Sequence, residues 1–122
     1  MRIMVVDDEQ FAVRLMTRQL DALGFLEVVG CTRGRDAVSQ AASFDLVVCD
    51  LQMPEMDGVE LIRHLAASGF AGSLLLMSAE DRQILEAASR FARAAGLHVV
   101  GAVQKPLRTD HLSAAAEAHR SP

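Results

Sequence analysis

Five short apolar runs, each followed by a helix-like segment, constrain the fold of this chain more than any other feature. The runs show little alternation with polar residues, as expected for strands that are buried on both faces of a parallel sheet. Strands are predicted at residues 2–6, 27–31, 45–49, 73–77 and 98–103, and helices at 9–23, 35–42, 59–67, 81–95 and 107–118. Because crossover helices cover both faces of such a sheet, the pattern predicts an α/β fold with a doubly wound five-stranded parallel sheet and five helices.

The first predicted helix is amphipathic. Its apolar residues fall on one face at helical spacing: Phe11, Leu15, Met16, Leu20 and Leu23. Asp8 stands where it could cap this helix, and Gly24 stands where it could end it.

Composition narrows the function classes. The chain has 122 residues, enough for one domain, and we expect residues 1–120 to form it, with residues 121–122 as the start of a linker or the end of a cloned fragment. A net charge of −4 and the absence of Trp and Tyr argue against direct binding of nucleic acid. No apolar run approaches the roughly 20 residues of a membrane span. The N-terminus has no signal-peptide pattern, so we expect a cytoplasmic protein without membrane contact.

The two cysteines lie far apart, each inside an apolar stretch. Cys31 and Cys49 have no His or Cys neighbour at metal-ligand spacing. We therefore interpret both as reduced, buried thiols.

Polar residues that could bind a ligand or react gather where the predicted strands end. Asp7 and Asp8 follow the first strand, Asp50 the third, Ser78 the fourth and Lys105 the fifth. Ligands of open parallel sheets bind beyond the carboxyl ends of the strands. Each residue also has a simpler interpretation, since Asp8 or Ser78 could cap a helix and Lys105 could be a surface charge.

Taken together, these residues predict a cation site and a nucleophile. Three neighbouring carboxylates repel one another unless a cation sits among them, and Mg²⁺ suits a shallow site made of carboxylates, water and phosphate. A carboxylate can attack a phosphoryl group to give an acyl phosphate. Asp50 stands alone at a central strand end, so it is the candidate nucleophile, whereas Asp7 and Asp8 are better placed as metal ligands.

Four motifs carry a resemblance to a known family. The stretches Asp7-Asp8-Glu9, residues 50–58 (DLQMPEMDG), Ser78-Ala79 and Lys105-Pro106 resemble those of a response-regulator receiver domain, and the resemblance covers nearly the whole chain. It implies a flavodoxin-like sheet with strand order 2-1-3-4-5. It also implies a signalling module and not an enzyme, because such a domain catalyses only its own phosphorylation and dephosphorylation. Its partners would be a histidine kinase or histidine phosphotransfer protein and an output domain or effector protein.

The resemblance also implies roles for single residues. Asp50 would be the phosphoacceptor, and Asp8 and Asp50 would bind Mg²⁺ directly together with the backbone carbonyl of Gln52. Asp7 would act on the metal largely through water. Lys105 would pair with the acyl phosphate.

The remaining motif positions would complete the phosphoryl site. Ser78 would donate a hydrogen bond to a phosphoryl oxygen, assisted by the backbone N–H of Ala79. The peptide bond before Pro106 would be cis. Gln52 and Glu80 stand where the family controls water access, and hence the lifetime of the phosphoryl group.

One position departs from the family. Receivers usually carry an aromatic residue or His three residues before the lysine, where this chain has Ala102. Coupling to the output then runs through the loop after Ser78, or the fourth and fifth elements couple weakly. The run 94–106 resembles receivers joined to EAL-type cyclic-di-GMP phosphodiesterase domains, so the chain is interpreted either as their input module or as a receiver with another output.

Two other protein classes have a related chemistry or fold. A phosphatase of the haloacid-dehalogenase type also uses an Asp nucleophile with Mg²⁺, but it requires a second Asp two residues later, where this chain has Gln52. A flavodoxin-like cofactor binder would need a phosphate-binding loop after the first strand, where Asp7, Asp8 and Glu9 would repel the phosphate.

Overall fold

A five-stranded parallel sheet organises residues 1–120, the part of the chain that this computed structural model describes. Its strands are β1 (Arg2–Val6), β2 (Glu27–Cys31), β3 (Leu46–Asp50), β4 (Ser73–Ser78) and β5 (His98–Gln104). The spatial order is β2-β1-β3-β4-β5, with every neighbouring pair parallel. The predicted fold class and strand order are confirmed, while the linker predicted at residues 121–122 lies outside the described part.

Helices connect the strands. They are α1 (Gln10–Ala22), α2 (Gly34–Gln40), α3 (Gly58–Ala67), α4 (Arg82–Ala94) and α5 (Thr109–Arg120), with a 3₁₀ turn at Ala41–Ser43. The predicted helices are all found, and their ends differ from the prediction by at most two residues. Within residues 1–120, no helix combines the length and the apolar character needed to span a bilayer.

Apolar side chains fill both faces of the sheet. Met4, Val47 and Leu76 point to the face covered by α2, α3 and α4, whereas neighbouring residues such as Val5 and Val48 point to the face of α1 and α5. Since successive strand residues alternate between faces, a strand buried on both sides must be apolar throughout. This explains the unbroken apolar runs and leaves polar groups to the ends of the strands.

Helix capping corrects two simple interpretations of the acidic edge. α1 begins after Glu9, which makes no side-chain cap, so the prediction that Asp8 caps it was wrong. α4 is capped by Asp81, whose carboxylate accepts a hydrogen bond from Ile84 N at 3.1 Å, and not by Ser78. Gly24 follows α1 with a φ of +94°, the left-handed conformation typical of glycine at a helix end.

The apolar face of α1 is only partly buried. Met16 and Leu20 pack against the sheet, but Phe11 is 71% exposed, and Leu15 and Leu23 are also partly exposed. Phe11 and Leu15 lie beside the loop after β5, where they line a groove with Pro106 and Leu107. The helical period identified the face but not how much of it the sheet covers.

Both cysteines are buried free thiols, as predicted. Burial, and next to it the charge of Asp36, raises the pKa of Cys31 above its ordinary value. Burial raises the pKa of Cys49 further, with a smaller effect from the neighbouring Asp50 and Asp7. Both thiols are therefore held in the protonated, unreactive form at neutral pH.

Gly58 closes the loop that leads from β3 to α3, and we expect Gly58→Ala to lower the free energy of unfolding by about 1–3 kcal/mol through overpacking. Its N–H donates to the Leu51 carbonyl at 3.0 Å, and an added Cβ would lie 2.7 Å from the Leu51 Cα. Urea denaturation measures the loss.

Gly101→Ala is the matched control for this substitution. Its Cβ would meet only the flexible end of the Leu75 side chain, at 2.9 Å, so we expect a smaller loss. Equal stability of the Gly58→Ala variant and the unsubstituted chain would contradict the close packing of the loop.

Candidate functional site

The carboxyl edge of the sheet brings together three acidic residues from two strand ends. Asp7 follows β1 directly, Asp50 ends β3 beside it, and Asp8 is the next residue after Asp7. One carboxylate oxygen from each of these three residues lies within 4.8 Å of the others. Asp7 and Asp50 are fully buried, at 0% and 1% exposure, whereas Asp8 is exposed. The predicted acidic cluster is therefore present, with one side open to solvent.

Lys105 bridges the two buried carboxylates. Its Nζ donates to Asp7 Oδ2 at 2.8 Å and to Asp50 Oδ2 at 3.1 Å. Lys105 follows β5 and is held in place by its backbone N–H, which donates to the Ser78 carbonyl at 2.8 Å. The Lys105–Pro106 peptide bond is cis, as predicted. The lysine is thus part of the acidic site and not a solvated surface charge.

The electrostatics of the site follow from this burial. Burial raises the pKa of the Asp50 carboxyl above its ordinary value, and the Asp7 charge adds to it, while the Gln52 N–H and Lys105 oppose the shift. Burial alone would lower the pKa of Lys105, but its hydrogen bonds and ion pairs with Asp7 and Asp50 outweigh it, so that pKa is raised. The two neighbouring carboxylates of Asp7 and Asp50 therefore share the single ammonium of Lys105. The pocket keeps an excess of negative charge.

The donor set fits a hard divalent cation. Carboxylate oxygens are ligands that Mg²⁺ prefers, and it binds where a few of them leave room for water and a phosphate. Asp7 Oδ1 also accepts from Glu9 N, and Asp50 Oδ1 accepts from Gln52 N, both at 3.0 Å. These bonds hold the two buried carboxylates in fixed orientations beside the exposed Asp8.

Ser78 ends β4 next to the acidic cluster. Asp50 is in register with Met77 on the neighbouring strand, so Ser78 lies one residue further along. Its hydroxyl donates to the side-chain oxygen of Gln52 at 3.3 Å and accepts from Glu80 N at 3.0 Å. The hydroxyl is therefore turned towards the loop of Asp50, as a phosphoryl ligand would require.

The hydrogen bonds of the Gln52 side chain are a feature of the site that the sequence did not predict. Only its backbone carbonyl and its position were singled out, but its Oε1 accepts from Ala79 N at 2.9 Å and its Nε2 donates to Glu80 Oε1 at 2.7 Å. These partners are 27 and 28 residues away, so no local pattern could have indicated the contacts.

Two of the four histidines meet at the opposite edge of the sheet. Ser73 Oγ lies 2.9 Å from His98 Nδ1 and 2.6 Å from His119 Nδ1. Ser73 is fully buried at the beginning of β4, and the contact ties the end of α5 to the sheet. Nothing in the sequence spacing pointed to this pair.

The arrangement at the acidic edge suits phosphoryl transfer. Such a reaction depends on positioning and on neutralising the charge of the phosphoryl oxygens. Asp50 is a buried carboxylate of the type that can act as a nucleophile, Lys105 beside it is a cation, and the Ser78 hydroxyl and the Ala79 N–H are nearby hydrogen-bond donors.

Known proteins are similar to this chain in sequence and in fold. The sequence model of the response regulator receiver domain matches residues 3–117. A response regulator from Colwellia psychrerythraea superposes with a TM-score of 0.83 at 30% identity, covering 98% of each chain.

Longer relatives match over this domain alone. The cyclic di-GMP phosphodiesterase RocR of Pseudomonas aeruginosa is 28% identical over 93% of this chain and 30% of its own length. The alkaline phosphatase synthesis transcriptional regulatory protein PhoP of Bacillus subtilis is 31% identical over 67% of this chain and 35% of its own length. The chain thus spans about a third of these relatives. By the family match over nearly all its residues, it belongs to the response regulator receiver domains, the phosphoacceptor modules of two-component signalling.

Proposed function

We propose that Asp50 is the phosphoacceptor of this chain and receives its phosphoryl group from a histidine kinase or a histidine phosphotransfer protein. The observation that carries this proposal is the buried Asp50 carboxylate, held by Lys105 at 3.1 Å beside Asp7 and the exposed Asp8. A nucleophile in such a pocket meets an anionic phosphoryl group with a cation already in place. Residues 1–120 would form the receiver unit.

In the proposed reaction, an Asp50 oxygen attacks the phosphorus in line with the donor nitrogen. The O–P bond forms as the N–P bond breaks, and the donor imidazole keeps the electron pair. Lys105 pairs with the phosphoryl oxygens, and Ser78 and the Ala79 N–H donate to one of them. The chain acts on itself only, as a signalling module and not as an enzyme with a separate substrate.

Mg²⁺ is the cofactor that we propose for the acidic cluster. Asp8, Asp50 and the Gln52 carbonyl would hold it, and Asp7 would act through water. The bound ion would neutralise charge on the phosphoryl oxygens.

A small acyl phosphate tests the function without a protein donor. Incubated with the chain and Mg²⁺, it should add one phosphoryl group, about 80 Da by intact-mass measurement. The adduct should be lost on hydroxylamine treatment, as expected of an acyl phosphate. Absence of an adduct with Mg²⁺ present would contradict the proposal, and an equal yield after chelation would contradict the role of the metal.

An apolar groove beside the pocket is the proposed docking surface for the phosphodonor. Phe11 and Leu15 of α1 line it together with Pro106 and Leu107. The groove has a volume of about 420 Å³, and Asp7 and Lys105 of the acidic pocket also line it. Exposed apolar side chains at the edge of a polar pocket are typical of interaction sites. A donor seated there would hold its phosphohistidine over Asp50.

We expect Phe11→Ala to slow phosphoryl transfer from a phosphohistidine protein about tenfold, the effect of truncating one interface anchor. The rate with a small acyl phosphate should not change, because that donor needs no docking surface. Radiolabel transfer measures both rates.

Leu26→Ala is the control for docking. Leu26 is 90% exposed but lies just before β2, at the other end of the sheet. A tenfold loss in this variant, or an equal loss with both donors for Phe11→Ala, would contradict docking at the groove.

For the output, we favour the input module of a cyclic-di-GMP phosphodiesterase. The similarity to RocR over 93% of the chain supports it, and the match to the transcriptional regulator PhoP represents the alternative of another output. A phosphatase of the haloacid-dehalogenase type is less well supported, because Gln52 stands where its second Asp is required. The free, buried cysteines fit a reducing compartment, which supports a cytoplasmic location.

A further inference from the structure

The side-chain oxygen of Gln52 occupies a distinctive position. It accepts hydrogen bonds from the Ala79 N–H at 2.9 Å and from the Ser78 hydroxyl at 3.3 Å. These are the two donors that the proposed function assigns to a phosphoryl oxygen. The backbone N–H of the same residue donates to Asp50 Oδ1 at 3.0 Å, so Gln52 touches both the nucleophile and the donors.

An amide oxygen and a phosphoryl oxygen compete for the same donors. The Ala79 N–H and the Ser78 hydroxyl each carry one hydrogen, so neither can serve both oxygens well. A charged phosphoryl oxygen forms the stronger hydrogen bonds of the two. Once Asp50 is phosphorylated, the phosphoryl oxygen would take both donors and the amide would have to leave.

We propose that Gln52 is a positioning residue. Before phosphorylation its amide oxygen holds the Ser78 hydroxyl and the Ala79 N–H, the two hydrogen-bond donors for the phosphoryl group, in place. The phosphoryl group displaces this amide once Asp50 is phosphorylated. This inference rests on the proposed function of Asp50. It adds a role for the side chain of Gln52 that differs from metal binding by its backbone carbonyl.

Displacement of Gln52 would reach the loop between β4 and α4. Its Nε2 donates to Glu80 Oε1 at 2.7 Å, and this bond breaks when the amide leaves. The Glu80 carbonyl in turn accepts from Gln104 Nε2 at 3.0 Å, which connects the loop to the end of β5. The exchange offers a route from Asp50 to this face that does not need an aromatic ring at position 102.

A matched pair of variants separates this role from simple packing. Gln52→Leu keeps the size of the side chain but removes its acceptor, whereas Gln104→Leu removes the other glutamine bonded to Glu80 and leaves the Ala79 contact intact. Hydrogen exchange of the Ala79 amide, followed by NMR in the unphosphorylated chain, reports the contact itself. We expect faster exchange in Gln52→Leu and an unchanged rate in Gln104→Leu.

Binding of the phosphoryl analogue beryllium trifluoride in the presence of Mg²⁺ reports the competition. Without the competing amide, Gln52→Leu should bind the analogue about three- to tenfold more tightly, the range expected for one neutral hydrogen bond. A merely structural role would weaken binding instead.

The outcomes distinguish the two proposals. Unchanged Ala79 exchange in Gln52→Leu, or analogue binding that is equal or weaker, would overturn the role of Gln52 even if Asp50 is phosphorylated normally. If the unsubstituted chain takes up neither analogue nor phosphoryl group, the proposed function fails, and the displacement step fails with it.

Discussion

Replacing Asp50 with asparagine is expected to abolish phosphorylation of the chain. The asparagine amide has nearly the same shape as the carboxylate but cannot form an acyl phosphate. Its oxygen is a poor nucleophile, and the lone pair of its nitrogen is delocalised into the carbonyl group. With an acyl phosphate and Mg²⁺, the unsubstituted chain should gain about 80 Da, and Asp50→Asn should gain nothing. Intact-mass measurement decides the result, and a cooperative thermal transition shows that the variant is folded.

Asp57→Asn is the matched control for this loss. Asp57 lies seven residues further along the same loop, is exposed, and caps α3 by accepting from Glu60 N at 2.9 Å. Asparagine caps a helix about as well as aspartate, so the control should fold and be labelled normally. Persistent labelling of Asp50→Asn would move the nucleophile to another residue, with Asp7 and Asp8 as the first to examine.

Removing the Lys105 ammonium is expected to be the most destabilising single change at the acidic edge. In Lys105→Ala the buried carboxylates of Asp7 and Asp50 lose their shared cation and face each other directly. We expect a loss of about 1–3 kcal/mol in the free energy of unfolding, below the roughly 3–5 kcal/mol of a fully buried pair, because the lysine side chain is 26% exposed. Chemical denaturation at neutral pH without divalent cations measures this loss.

The pH dependence of this difference has a definite sign. The pKa of Lys105 is raised in the folded chain, so its stabilising contribution is complete below the unfolded lysine pKa of about 10.4 and is lost as pH rises through the folded value. At acid pH the difference between the variant and the unsubstituted chain also shrinks, since protonated carboxylates need no cation. The gap in stability should therefore be widest near neutral pH.

Two further measurements complete the test of Lys105. Mg²⁺ should still bind the variant and recover part of its stability, because the acidic residues remain, whereas phosphorylation by an acyl phosphate should slow. Arg108→Ala removes an exposed ion pair with Asp110 and should leave the unfolding transition unchanged. Equal stability of Lys105→Ala and the unsubstituted chain at neutral pH would contradict the bridging role of the lysine.

The fold could be predicted from local sequence patterns. A strand covered by helices on both faces must be apolar along its length, so the runs around Val5, Val48 and Leu75 predicted a parallel sheet. The convergence of Asp7, Asp50 and Lys105 followed from the same rule, because parallel strands end at one edge. The helical spacing of α1 was less informative, since it identified an apolar face but did not show that Phe11 lies outside the core.

The sequence by itself determined the architecture of this protein and the residue types at its acidic edge, because periodicity and strand ends are local properties of the chain. Only the tertiary structure decided that the side-chain oxygen of Gln52 accepts hydrogen bonds from Ser78 and Ala79. The contact of Ser73 with His98 and His119 at the amino edge of the sheet was likewise decided only there. Hydrogen bonds between residues 25 to 46 positions apart depend on side-chain orientations after the strands have packed. No repeating pattern along the chain encodes those orientations.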